Sequence, residues 1–214
     1  QEACLVPDSL GNLESILIGL GDRAARNRER FTLGGSTNKL PHIKYKIESK
    51  HNELELGEHS LGWLLSQYAF TNYLNKENKV AALVKPDGIN SLRIEKIAQG
   101  EVITRDLVNT PANEMGPKEL EEFVNSLAKI HGASTKSICG DQLLDSNFPM
   151  IHAVGRASIK PPRLIEMKWG NKGPTLTLVG KGVCFDTGGL NIKSGPGMAL
   201  MKKDMGGAAN AIGL

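Results

Sequence analysis

The stretch from Thr175 to Gly213, TLTLVGKGVCFDTGGLNIKSGPGMALMKKDMGGAANAIG, decides how we interpret the fold. Its first eight residues, TLTLVGKG, are apolar enough to predict a buried central strand of a sheet. A glycine-rich loop follows, and a helix of small residues closes the stretch. Because α/β enzymes place their sites where strands end, we expect the functional site in this loop.

Four charged residues stand out in the loop and at the start of the helix: Lys181, Asp186, Lys193 and Asp204. Two carboxylates beside a glycine-rich loop could hold divalent cations through oxygen. A lone aspartate in such a loop is more commonly a solvated residue. The carboxylates by themselves therefore leave both a metal site and an ordinary surface loop open.

The region before this stretch predicts helices and short strands in an α/β layered arrangement. Residues 91–109 fit a long amphipathic helix, and residues 116–132 fit a helix that begins with proline and ends at glycine. Three short apolar runs follow at 150–158, 163–170 and 175–182, which we interpret as strands.

The first ninety residues predict a small α/β domain. The runs ACLVP, ESILIGLGD and KVAALVKPDG are typical of short strands ended by turn residues, and LGEHSLGWLLSQYAF has apolar residues at helical spacing. We therefore expect an N-terminal α/β domain over 1–90, a linking helix over 91–109 and a larger α/β domain over 110–214.

Composition narrows the class of protein. Of the 214 residues, 40% are hydrophobic and 23% charged, as in soluble globular proteins, and no apolar run is long enough to span a bilayer. The net charge of +3 is scattered, which gives little support for nucleic-acid binding. Three widely spaced cysteines form no CxxC pair, which favours a reducing, cytoplasmic compartment.

Other catalytic motifs do not fit. A phosphate-binding P-loop would need glycine at Thr175 and serine or threonine at Gly182, and neither a GxGxxG fingerprint nor a GxSxG elbow is present. We expect Cys184 to be a packed thiol and Lys202 and Lys203 to face solvent. The histidines lack HExxH or other ligand spacing and are interpreted as surface or core residues: His42, His51, His59, His131 and His152.

The strings VGKGVCFDTGGLNIK and MKKDMGGAA resemble the metal-binding core of the leucyl aminopeptidase family, also called cytosol aminopeptidases. RDLVNTPANEMGP from Arg105 and HAVGRASIKPPRLIEMKW from His152 are similar to further family segments in the expected order. The resemblance is strong from Arg105 onward and looser over the first ninety residues. It implies an N-terminal α/β domain joined by a long helix to a catalytic α/β domain with a central mixed sheet flanked by helices, of which residues 110–214 form the first part.

The resemblance also implies roles for individual residues. Lys181 would bind one metal through its neutral amine, Asp186 would bridge two metals, and Asp204 would share the metal of Lys181. Lys193 would be the catalytic lysine that polarises the scissile carbonyl, and Met201 would form a wall of the substrate pocket. The cofactors would be two divalent ions, zinc or manganese, with magnesium or cobalt as alternatives. All five residues would line the substrate site.

Members of the family carry a further ligand motif of the type NTDAEGR downstream of the segment that resembles KKDMGG. We therefore expect this chain to be part of a longer protein and to be inactive alone. The resemblance implies peptide substrates with a free N-terminus and a hexameric assembly. The alternative is a non-catalytic fragment, or a family member with a DNA-binding or scaffolding role.

Overall fold

The computed structural model describes residues 3–28, 30–48, 53–74 and 80–214, and of residues 23, 26, 27, 53 and 54 it describes the backbone alone. His51 lies outside the described residues. The chain divides into two compact units, Gln1–Val102 and Ile103–Leu214. Each unit combines helices with small sheets, so the predicted α/β class is confirmed.

The first unit contains two small sheets. Strand β1 (Ala3–Pro7) pairs antiparallel with β2 (Leu13–Ile18). Strand β3 (Lys44–Tyr45) pairs parallel with β4 (Ala82–Leu83). Its helices are α1 (Arg23–Arg28), a 3-10 helix (Gly34–Lys39), α2 (Glu53–Ser66) and the first part of α3 (Ser91–Asn109), and α2 and α3 confirm helices predicted from apolar spacing.

The core of the first unit forms around one aromatic side chain. Trp63 on α2 is buried with Leu33, Leu40 and Ala81. Its indole nitrogen donates a hydrogen bond of 2.9 Å to the carbonyl of Ala81, so the ring is both packed and hydrogen-bonded.

The second unit contains a helix whose ends the sequence specifies. Helix α4 (Pro117–His131) starts with proline at its first turn, and Glu119 accepts a hydrogen bond of 3.0 Å from the backbone N–H of Gly116. It ends at Gly132, whose φ of 65° is the left-handed conformation that glycine adopts without strain. This helix confirms the predicted helix over 116–132.

Strand β5 (Ser134–Cys139) and strand β6 (Arg163–Lys168) form an antiparallel pair, and α4 contacts both strands. The core beside them is formed by Leu107, Leu120, Met205 and Ala209. The remaining elements are α5 (Gln142–Asp145), α6 (Pro149–Gly155), α7 (Gly195–Ala199), a 3-10 helix (Met201–Met205) and α8 (Gly206–Gly213).

Two of the predicted strands in this unit are wrong. The run at 150–158 is mostly helical, because Pro149 opens α6 and His152 bonds back to the carbonyl of Phe148. Residues 175–182 form no strand, and Leu176 and Val179 are 81% and 92% exposed. A strand needs a neighbour for its backbone hydrogen bonds, and in the described part of the chain β6 pairs with β5 alone.

No helix among the described residues is both long and apolar enough to cross a membrane.

Candidate metal centre

The first half of the site is an ion pair between the loop and the 3-10 helix Met201–Met205. The Lys181 Nζ lies 2.9 Å from Asp204 Oδ1 and 2.8 Å from Oδ2. The Asp204 side chain is only 15% exposed, whereas that of Lys181 is 58% exposed. Oδ2 is buried and, among the described residues, accepts no hydrogen bond of good geometry despite the close ammonium. The Lys181 ammonium therefore lies close to both oxygens of this carboxylate.

Two backbones meet closely beside this ion pair. The N–H of Ala208 on α8 donates a hydrogen bond of 2.8 Å to the carbonyl of Lys181. A Cβ added to Gly180 would overlap the carbonyl of Gly207 and lie 2.5 Å from Cα and 2.6 Å from N of Ala208. Only glycine fits at this distance. The contact holds the loop against the start of α8, directly after Asp204.

The second half of the site is formed by two charged residues that are seven positions apart in the loop. Lys193 Nζ donates to Asp186 Oδ2 at 2.6 Å and approaches Met201 Sδ at 3.0 Å. Asp186 Oδ1 accepts a hydrogen bond of 2.8 Å from the N–H of Gly188. The loop reverses through four consecutive residues with positive φ, which are Gly188, Gly189, Leu190 and Asn191. The reversal lets the N–H of Lys193 bond the carbonyl of Thr187 at 3.0 Å, which returns its side chain to Asp186.

Electrostatics join the two halves. The hydrogen bond to Asp204 raises the pKa of the Lys181 ammonium, and the charges of Asp204 and Asp186 add to that shift against partial desolvation. The hydrogen bond from Lys193 lowers the pKa of the Asp186 carboxyl, helped by the Gly188 N–H and by the charge of Lys181. Two ammonium groups and two carboxylates thus form one charge-balanced cluster.

The donor chemistry of the cluster fits divalent cations. Carboxylate oxygens suit zinc, manganese and magnesium, and an amine without its proton is a further nitrogen donor. Among the described residues, no three His, Cys, Asp or Glu side chains converge. A cation held by Asp186 or Asp204 would therefore need the amine of Lys181, water or ligands from outside these residues to complete its coordination.

Neighbouring residues agree only in part with the sequence interpretation. Lys203 is exposed as expected, but Lys202 is not a free surface charge, because its Nζ donates to the carbonyl of Asn109 at 2.7 Å. Cys184 is partly buried, and burial, together with the charge of Glu119, raises the pKa of its thiol to about 11. It is therefore a packed neutral thiol.

The histidines take no part in the cluster as far as the structure describes them. His59 is buried in the first unit, and His152 lies 3.1 Å from Asp141 Oδ1. Sequence reasoning placed Lys181, Asp186 and Lys193 in one loop and Asp204 at the start of the following helix, but it missed the contact of Gly180 with Gly207. The run of small residues at 206–209 is the signal that could have indicated such a close approach.

In the comparison with known proteins, two family models match separate regions of the chain. The family model described as "Cytosol aminopeptidase family, catalytic domain" matches residues 102–214. The model described as "M17 aminopeptidase, N-terminal domain" matches residues 1–86. A probable cytosol aminopeptidase of Geobacter sp. (strain M21) is 32% identical over 231 residues, which covers 96% of this chain and 47% of the relative.

Solved structures of related proteins are similar to nearly the whole chain. The cytosol aminopeptidase of Coxiella burnetii is 40% identical with a TM-score of 0.90, covering 99% of this chain and 46% of that one. The bottromycin maturation enzyme BotP, solved in complex with Mn, is 25% identical with a TM-score of 0.81, covering 99% of this chain and 49% of its own. The chain thus spans about half the length of the relatives it matches.

Proposed function

Because the chain belongs to the cytosol aminopeptidase family, we propose that it forms the first part of a metal-dependent aminopeptidase that removes N-terminal residues, with a leucine-type preference, from peptides. The observation that carries this proposal is the clustering of Lys181, Asp186, Lys193 and Asp204. These residues are up to 23 positions apart, yet their charged groups form two contacting pairs that influence one another.

We assign the carboxylates of Asp186 and Asp204 and the amine of Lys181 to two divalent ions. Asp186 would serve both ions and Asp204 one, which it would share with Lys181. The ions are zinc or manganese, with magnesium or cobalt as alternatives, and the Mn complex of BotP supports a divalent ion in this fold. When bound, they supply Lewis acidity and a water of lowered pKa. The ion pair of Lys181 with Asp204 supports this assignment, because it brings the proposed amine and carboxylate ligands within 2.9 Å of each other.

For Lys181 to be a ligand, its ammonium has to lose a proton. Asp204 raises the pKa of Lys181 and so favours the charged form in the cluster described here. Metal binding releases protons from ligands of this kind. A proton released from Lys181 on loading is therefore part of the proposal.

Lys193 is the group we assign to transition-state stabilisation. Its ammonium lies beside Asp186 and is partly shielded from water, with 29% of the side chain exposed. A fixed positive charge at this place can polarise a peptide carbonyl and stabilise the oxyanion that develops on it. We assign Met201, which contacts the same ammonium, to the wall of the pocket for the substrate's first side chain.

The wider proposal follows the family. Residues 1–90 would form the N-terminal domain, 91–109 the linking helix and 110–214 the first part of the catalytic domain. The partners would be peptides with a free N-terminus and further copies of the full-length protein in a hexamer. We also propose a cytoplasmic location, which the three free cysteines and the cytosol aminopeptidase relatives support.

Metal analysis of the full-length protein, meaning the natural protein that carries this sequence, tests the ligand assignment. Asp186→Ala should lose both ions, because its carboxylate serves both, and Asp204→Ala should lose mainly one. Asp145→Ala, which removes an exposed carboxylate at the end of α5, is the matched control and should keep the wild-type content. Wild-type metal content in both Asp186→Ala and Asp204→Ala would contradict the proposal.

A further inference from the structure

Lys193 and Asp186 are paired in a way that bears on how a cation reaches the site. Asp186 Oδ2 accepts a hydrogen bond of 2.6 Å from the Lys193 ammonium, and Oδ1 accepts one of 2.8 Å from the Gly188 N–H. Both oxygens of the carboxylate are therefore already engaged by donors. Its negative charge is matched by a lysine from its own loop.

We infer that Lys193 is an internal counter-ion of Asp186 that a divalent cation has to displace, so that Lys193 opposes metal loading as well as serving the reaction. This inference rests on the proposed function, because it takes Asp186 as a metal ligand. A carboxylate oxygen in contact with an ammonium can accept a divalent cation only against the repulsion between the two positive groups. The lysine has to leave Oδ2 or tolerate that repulsion.

The structure also provides a place for the displaced ammonium. Lys193 Nζ lies 3.0 Å from Met201 Sδ, on the 3-10 helix that carries Asp204. A thioether is a weak acceptor, and it suits zinc, manganese or magnesium less well than a carboxylate. A cation at Asp186 would therefore leave this contact available. Met201 can keep the Lys193 ammonium in the site after a cation has replaced it at Asp186.

The size of the effect follows from the exposure of the pair. The side chains of Lys193 and Asp186 are 29% and 38% exposed, so water screens their attraction in part. Exposed ion pairs have small coupling energies and charge-assisted hydrogen bonds larger ones. For this intermediate case we expect removal of the ammonium to tighten cation binding about threefold to tenfold.

The test is calorimetric titration of MnCl2 into the metal-stripped full-length protein. Lys193→Met shortens the side chain by a single atom and removes its charge, and it should lower the Kd for Mn²⁺ at the tighter site about threefold to tenfold. Lys203→Met is the matched control, because it removes the same charge from an exposed residue adjacent to Asp204. Its Kd should stay within about twofold of wild type, since water screens the charge of an exposed side chain.

A Kd for Lys193→Met that equals or exceeds the wild-type value would overturn the inference, because Lys193 would then be neutral to Asp186 or would hold it in place for the metal. Lys193→Gln, read by the same titration, carries the test if the methionine variant does not fold. If wild-type protein binds no Mn²⁺, the proposed function fails together with the inference. If wild type binds Mn²⁺ and neither variant binds it more tightly, the inference fails alone.

Discussion

Replacing Gly180 by alanine tests how the fold holds Lys181 beside Asp204. The new Cβ would lie 2.5 Å from Cα and 2.6 Å from N of Ala208, both of them backbone atoms that no rotamer change can move. Overpacking of this kind costs about 1–3 kcal/mol. Loss of the bond from the Ala208 N–H to the Lys181 carbonyl adds about 1 kcal/mol. We therefore expect Gly180→Ala to destabilise the full-length protein by about 2–4 kcal/mol.

The loop offers its own control two residues away. A Cβ at Gly182 would lie 3.6 Å from Ala208 Cβ and 3.8 Å from Leu120 Cδ2, which are ordinary van der Waals distances. Gly182→Ala should therefore change the free energy of unfolding by less than about 0.5 kcal/mol. Urea unfolding of both variants, followed by circular dichroism, makes the comparison. Equal midpoints for the two variants would refute the view that the contact of Gly180 with α8 is tight.

Three further predictions concern activity and assembly. Lys193→Ala in the full-length protein should keep its metal while losing about 10² to 10³ in turnover, the usual cost of one oxyanion donor, and wild-type turnover would remove Lys193 from the mechanism. The full-length protein should sediment as a hexamer in analytical ultracentrifugation, so a monomer would contradict the proposed assembly. The purified 214-residue chain, given manganese or zinc, should not cleave leucine p-nitroanilide, because it carries only three of the metal ligands that the family resemblance implies. Turnover at family-like rates would show that the essential residues have been assigned wrongly.

Local signals predicted the three long helices α2, α3 and α4. Helix α4 could be bounded because Pro117 favours its first turn and Gly132 its left-handed end, and both effects act within a few residues of chain. A strand also needs a neighbouring strand for its backbone hydrogen bonds, and an apolar pattern in the sequence does not show whether that neighbour is present. The run at 150–158 became a helix, and the apolar run at 175–182 lies exposed because, among the described residues, no strand pairs with it.

The contacts within the candidate site could likewise be predicted only in part, because they depend on residues far apart in the chain. The resemblance to the cytosol aminopeptidase family selected the four charged residues, because their types and order alone left both a metal site and an ordinary surface loop open. Their pairing, with Lys193 on Asp186 and Lys181 on Asp204, depends on the positive-φ reversal of the loop and on its backbone contact with α8. The hydrogen bond from Lys202 to the carbonyl of Asn109 joins positions 93 residues apart, which no short-range pattern could indicate.

Anomalous diffraction from crystals of the full-length protein grown with zinc tests the central claim most directly. We predict two anomalous peaks, with an oxygen of Asp186 within about 2.0–2.2 Å of both and an oxygen of Asp204 at that distance from one. Lys193 should have moved off Asp186. Zinc peaks found only elsewhere in the protein, with the Lys193 and Lys181 ion pairs intact, would contradict the account.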